Sequence, residues 1–254
     1  MTRMPPLGLH TVVAKDIADR LGSSLLDRER GALYLGATAP DIRVITRWDR
    51  RQTHFFDLDN FDEQSGVEGL FRAHPHLAEA ARLQPRTASF VAGYITHLVM
   101  DETWITQVYR PFFGERSPLG GRPWANIMDR ALQWSLDLRG RSDAELVRHI
   151  VAELAQDEVP LQLGFIDDET MRRWRQLVKE LLEQPPTWDR FGRIASRYLK
   201  EAGIETAEAL EDFLRLLPEV ADEAVRYLSW ERVQAFLDDS VAKGLEAVRR
   251  YLCA

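Results

Sequence analysis

The stretch from about Thr87 to Tyr109 constrains the fold more than any other part of the chain. Phe90, Val91, Tyr94, Ile95, Leu98, Val99, Met100, Trp104, Ile105 and Val108 would surround nearly the whole circumference of a helix there. A helix that is apolar on most sides leaves no face for water, so it must be central and covered by other helices. The rest of the chain can supply them, because its apolar residues recur mainly at three- and four-residue intervals and convincing alternation is hard to find. The expected fold class is all-α.

The same spacing predicts covering helices at about Leu9–Leu21, Leu25–Leu35, Val67–Arg72 and Leu77–Leu83 before the central one. After it come Trp124–Leu138, Ala144–Leu154, Asp168–Leu182, Trp188–Ala202, Ala207–Leu228 with a break near Pro218, and Trp230–Leu252. Gly36 and Pro40 in "GATAPDI" end the second helix, and Pro111 ends the central one. "HPH" at His74–His76 reads as an exposed turn, and the tryptophans at helical positions read as core. A divide near "DEVPLQLGFIDDE" separates residues 1–160 from a C-terminal helical region, 161–254, whose amphipathic helices pack back onto the first.

Composition excludes several functions. A net charge of -7 argues against general affinity for nucleic acid or anionic membrane, so any anion site must be local. The single cysteine, Cys253, rules out a disulfide framework or a thiolate metal site, which leaves His and carboxylate as metal donors. "MTRMPPLGLH" lacks the apolar core of a signal peptide, and no window approaches the roughly 18 apolar residues of a membrane span. The expected location is the cytoplasm. There is no Gly-rich phosphate loop, no G-x-S-x-G and no Cys-His pair in a catalytic context.

Within the central helix, "GYITHLVMDETW" places His97 and Asp101 four residues apart on one face, with Gly93 one turn earlier where a neighbouring backbone can approach. Leaving that carboxylate buried and unpaired would cost several kcal/mol or force it neutral. Two arrangements satisfy the pair: hydrogen bonds to each other or to other helices, or a divalent cation that compensates the carboxylate and takes the imidazole lone pair. Three further residues bear on the choice. His10 lies on the apolar face of the first helix, Asp41 follows the "GATAP" turn, and His54 stands among aromatics in "RRQTHFFDLDNF". Each alone has a bland reading as a core histidine, a turn residue or a packed loop residue. Together, three histidines and two aspartates on separate elements suit a zinc-type N/O donor set.

The ordered set "LHTVVAKDIADRL", "LGATAPDI", "THFF" and "YITHLVMDETW", over roughly residues 8–110, resembles the zinc-dependent phospholipase C family, whose all-α fold is shared with the S1/P1-type nucleases. The resemblance implies a multi-helix bundle of that type with additional C-terminal helices. It implies that Asp41, His54, His97 and Asp101 hold one zinc, that His10 helps hold another, and that Asp101 can serve both. It further implies a phosphodiester or phosphomonoester hydrolase, with Asp41 and Asp101 at the catalytic centre. The family's later His-x-x-x-Glu pair has only one counterpart here, "HIVAE" at His149 and Glu153, farther along than expected and readable as the polar edge of an amphipathic helix. One or two metal ions, rather than three, is therefore the expectation.

Between Asp41 and His54 lie Arg43, Arg47, Arg50 and Arg51. On a helix their spacing gathers them on one side as a site for phosphate oxygens, and the alternative is a solvated face paired with Asp49 or Asp57. The expected substrate is a small-molecule or lipid phosphate ester. The competing expectation is a non-catalytic helical scaffold that keeps a structural metal.

Overall fold

A computed structural model describes residues 7–156, 160–185 and 187–253, and within them the secondary structure is helical, with no strand. Helix α1 (Leu7–Leu21) buries His10, Val13, Ala14, Ile17 and Ala18 as one stripe at helical spacing. It stops at Gly22, whose φ of 58° is left-handed and carries no Cβ penalty in glycine. The helix expected at 25–35 is two, α2 (Ser24–Arg28) and α3 (Arg30–Thr38), divided at Glu29.

Gly36 does not end α3. It is half of a helix crossing: a Cβ there would lie 1.9 Å from the Phe90 carbonyl, and one on Gly93 would lie 1.9 Å from the Leu33 carbonyl. The chain does break at Pro40, in a 3-10 turn over Ala39–Ile42. Two single-turn helices follow, α4 (Arg43–Thr46) and α5 (Arg51–His54), which end on left-handed Arg47 and Phe55. Next comes α6 (Gly66–Ala73), whose first turn is capped by the Ser65 hydroxyl. The helix expected at 77–83 is instead two 3-10 turns, Pro75–Leu77 and Ala80–Arg82.

Helix α7 (Pro85–Trp104) is the buried central helix. It does not stop at Pro111 but continues as a π-helix over Ile105–Phe113, with the proline in the last turn. There its missing N–H forfeits a single bond, and the wider winding leaves room for the ring.

Beyond it lie α8 (Pro123–Gly140), α9 (Ala144–Ala155), α10 (Asp168–Glu183), the short α11 (Phe191–Ile194) and α12 (Ser196–Glu201), α13 (Ala207–Leu228) and α14 (Trp230–Cys253). The expected break at Pro218 does not occur. Phe213, Leu217, Val220, Ala221, Ala224 and Leu228 are buried along the length of α13. At about 1.5–3 kcal/mol for each large apolar side chain, that burial outweighs the roughly 3 kcal/mol of an interior proline.

The packing follows from these faces: α7 lies against α3 and α14, α1 against α14 and α3, α13 against α8, and α9 against α3 and α10. Of the boundary stretch near residue 160, positions 157–159 lie outside the described residues. Just after it, Gln162 N donates to Thr87 Oγ1 at 3.3 Å, His76 Nε2 meets the Leu163 carbonyl at 3.1 Å, and His74 stacks on Phe165 at 4.2 Å. His74 and His76 thus fasten this segment to the body, a role their reading as an exposed turn did not include. Trp104, Trp134 and Trp174 are core as expected, but Trp124 and Trp230 are exposed. No helix among the described residues is long and apolar enough to cross a membrane.

Candidate metal centre

Five side chains from separate elements meet in the interior: His10 from the first turn of α1, Asp41 from the 3-10 turn after α3, His54 from the end of α5, and His97 and Asp101 from α7. None is more than 2 % exposed. The glycine crossing of α3 and α7 brings Asp41 to His97, and the left-handed Phe55 turns the chain immediately after His54. His54 Nε2 lies 3.4 Å from Asp41 Oδ1 and 3.4 Å from Asp101 Oδ2. His97 Nε2 lies 3.8 Å from Asp41 Oδ1, and His10 Nε2 lies 3.9 Å from Asp101 Oδ1. The His10 and His97 rings stack 3.7 Å apart, 9° from parallel.

Seven buried atoms of these residues have no hydrogen-bond partner: both His10 nitrogens, both Asp41 oxygens, His54 Nε2, His97 Nε2 and Asp101 Oδ1. The surrounding hydrogen bonds explain why the histidines and aspartates do not satisfy each other. His97 Nδ1 is 2.8 Å from the Ala37 carbonyl, which can only accept, so the ring proton sits on Nδ1 and the Nε2 lone pair faces Asp41. Thr53 Oγ1 donates to the Arg50 carbonyl at 3.3 Å and lies 2.9 Å from His54 Nδ1. With the Thr53 proton on the Arg50 carbonyl, a His54 Nδ1–H donated to Thr53 Oγ1 aims the Nε2 lone pair inward. Tyr94 holds this arrangement from α7, its hydroxyl donating to the Thr53 carbonyl at 2.5 Å.

Burial sets the protonation of the cluster. It holds His10 and His54 well below the usual histidine range and His97 at about 4, so all three imidazoles are neutral at pH 7. Burial, reinforced by the nearby Asp101 charge, pushes the Asp41 carboxyl well above the ordinary carboxylate range. Without a cation such a carboxyl keeps its proton; a divalent ion would displace that proton and take the imidazole lone pairs and carboxylate oxygens that converge here. In a tetrahedral site with bonds of about 2.0–2.1 Å, neighbouring donor atoms are about 3.3–3.4 Å apart. The two shortest contacts, both 3.4 Å, match that edge. His10, Asp41 and His97 form one compact donor group, and His54, His97 and Asp101 another.

The arginines do not gather on one side, because left-handed Arg47 breaks the stretch between α4 and α5. Arg50 is buried, with Nη2 2.5 Å from Asp101 Oδ2 and Nη1 3.3 Å from the Phe56 carbonyl. Arg43 is half-buried and donates to the Trp48 carbonyl, and its charge reaches Asp41 and His54. Arg47 and Arg51 are exposed, with Arg51 bonded to Asp49. His149 lies on the exposed side of α9, and neither it nor Glu153 belongs to a donor group among the described residues.

Tyr94, Thr53 and buried Arg130 of α8, whose charge acts on Asp41, belong to the surroundings of the site but were not singled out from the sequence. Thr53 adjoins His54, which is a usable signal. Arg130 gives none, since an arginine on an amphipathic helix is unremarkable until the helix is placed. Compared with family models, with curated proteins and with solved structures, the chain matches none. What the cluster does has to be read from its own geometry.

Proposed function

We propose that this chain is a metal-dependent hydrolase of a phosphate ester, with a zinc-type divalent ion held by Asp41, His54, His97 and Asp101 and with His10 beside it. The observation that carries the reading is the convergence of unpartnered buried ligand atoms from five residues, which one divalent ion would satisfy together. Fold type and substrate class rest on the resemblance to zinc-dependent phospholipase C and the S1/P1-type nucleases, and phospholipid is one candidate among phosphate esters.

A divalent ion bound here would supply Lewis acidity, lowering the pKa of water to about 7 and polarising a phosphoryl oxygen. The chain does the rest. The Ala37 carbonyl fixes the His97 tautomer, Thr53 orients the His54 ring, and Arg50 holds the Asp101 carboxylate in place. Asp41, whose second oxygen also has no partner, can accept a proton from the attacking water. Arg43, half-buried at the edge, is placed to meet a phosphate anion.

The test is metal analysis of the purified protein together with turnover of simple phosphomonoesters and phosphodiesters. Stoichiometric metal and activity lost in His97→Ala and Asp41→Asn support the reading. Protein that neither contains nor takes up metal sinks it. The burial of all five donors favours a second reading, a structural metal in a helical scaffold, because a substrate needs access that these side chains lack. Bound metal that raises thermal stability without turnover on any phosphate ester would select it.

A further inference from the structure

Asp101 uses its two oxygens differently. Oδ2 is taken by Arg50 at 2.5 Å and faces His54 at 3.4 Å, whereas Oδ1 has no hydrogen-bond partner and lies 3.9 Å from His10. The Arg50 side chain is 7 % exposed, so its charge lies inside the cluster and does not lean on it from solvent. Extending the metal-binding part of the reading above, we propose that the centre holds a single divalent ion and that the Arg50 guanidinium takes the place of a second.

Charge decides the point. Asp41 and Asp101 supply two negative charges and Arg50 one positive, and no other carboxylate belongs to a donor group among the described residues. One divalent ion leaves the centre at +1, which a hydroxide or a phosphate monoanion neutralises. Two ions leave it at +3 in a desolvated interior, with Arg43 and Arg130 already acting on Asp41. Uncompensated buried charge is the most expensive thing a fold can hold. The donors alone do not settle the count, because imidazoles stacked 3.7 Å apart would also serve two ions at the usual spacing of about 3.5–4 Å. The guanidinium on Asp101 tips the balance. It also accounts for an arginine in the middle of a donor cluster, where it binds a carboxylate that a second cation would otherwise claim.

Calorimetric titration of the metal-stripped full chain with Zn2+, and metal content after desalting, read the stoichiometry directly. The expected result is one ion per chain in the wild type and in Arg50→Lys, and two in Arg50→Met, which removes the charge and keeps the bulk. Loading with Mn2+ adds a spectroscopic signature: an isolated-ion resonance in the wild type and a spin-coupled pair in Arg50→Met. Two ions in the wild type overturn the proposal, as does one ion in a folded Arg50→Met. No ion at all in the wild type refutes metal binding itself, a different failure. If Arg50→Met does not fold, Arg50→Gln, which removes the charge and keeps a donor for Asp101, is counted in its place: two ions support the proposal and one overturns it.

Discussion

Two of the buried carboxylate centres among the described residues differ in how their charges are met. At the first, Asp137 of α8 lies against the start of α1 and accepts the Leu9 N–H at 2.9 Å. Arg141, one turn later, approaches Asp137 at 3.4 Å and donates to the carbonyls of Leu181, Leu182 and Gln184 at the end of α10. The carboxylate thus meets the positive end of one helix and the guanidinium the negative end of another. Gly8 makes the fit possible, since a Cβ there would lie 2.5 Å from Asp137 Oδ1. At the second, which His10 enters from the next position of α1 after Leu9, Asp41 has no donor on either oxygen. Burial pushes both carboxyls up, but at Asp137 the Arg141 charge and the Leu9 N–H work against that shift, whereas no hydrogen-bond donor reaches Asp41.

The largest expected effect breaks the Asp137 centre. Asp137→Ala strands the Arg141 charge and removes the acceptor at the start of α1, and should destabilise the protein by about 3–5 kcal/mol in denaturant unfolding. Asp41→Asn in metal-free protein should do the reverse, leaving stability unchanged or raised, because it removes a carboxyl that the surroundings do not support. Equal losses in the two variants would erase the distinction.

Metal sharpens it next. A divalent ion at a thousandfold excess over its Kd stabilises a protein by about 4 kcal/mol. Zn2+ should therefore raise Tm by roughly 8–16 °C for a chain of this size. Calorimetry with and without a chelator measures the shift, which should vanish in His97→Ala and survive in Asp137→Asn.

Much of this contrast can be found in the sequence, because the donors break local rules. His97 and Asp101 interrupt an apolar helix, His10 interrupts an apolar stripe, and the length of apolar surface at 87–109 forces a central helix whatever surrounds it. What stayed hidden depends on where elements land. Arg50 and Arg51 are neighbours of one type, and only the break at Arg47 and the left-handed turn at Phe55 send one inward and leave the other in solvent. Gly36 looks like a terminator until Phe90 is seen against it. Pro218 looks like a break because propensity is local, while the burial that overrides it is not.

The glycine crossing offers a test of intermediate size. Gly93→Ala forces α3 away from α7, since the added Cβ meets the Leu33 carbonyl, and should cost about 1–3 kcal/mol. The same displacement separates Asp41 and the Ala37 carbonyl from His97, so metal affinity should fall with stability. Gly8→Ala, crowding only the Asp137 centre, should lower stability and spare metal affinity. A titration showing equal affinity loss in both variants would mean that the metal response reports general loosening rather than the geometry of one centre.

The smallest effect comes from a carboxylate that needs neither burial nor metal. Asp19 is 44 % exposed at its side chain and takes bonds from Lys15 at 2.6 Å and Arg30 at 2.7 Å. Its slight burial opposes ionisation, but the bonds and charges of Lys15 and Arg30 outweigh it, and its pKa lies below the ordinary value. A lowered folded-state pKa means that the unfolded chain binds the proton first as pH falls. The contribution is therefore complete above about pH 4–5 and is lost as pH drops through the folded value. Solvent screening keeps it within about 1 kcal/mol. Asp19→Asn should differ from the wild type by no more than that at pH 7 and low salt, with the gap closing toward pH 3 or in 1 M salt. A larger, salt-insensitive loss would place Asp19 with Asp137 among the structural carboxylates.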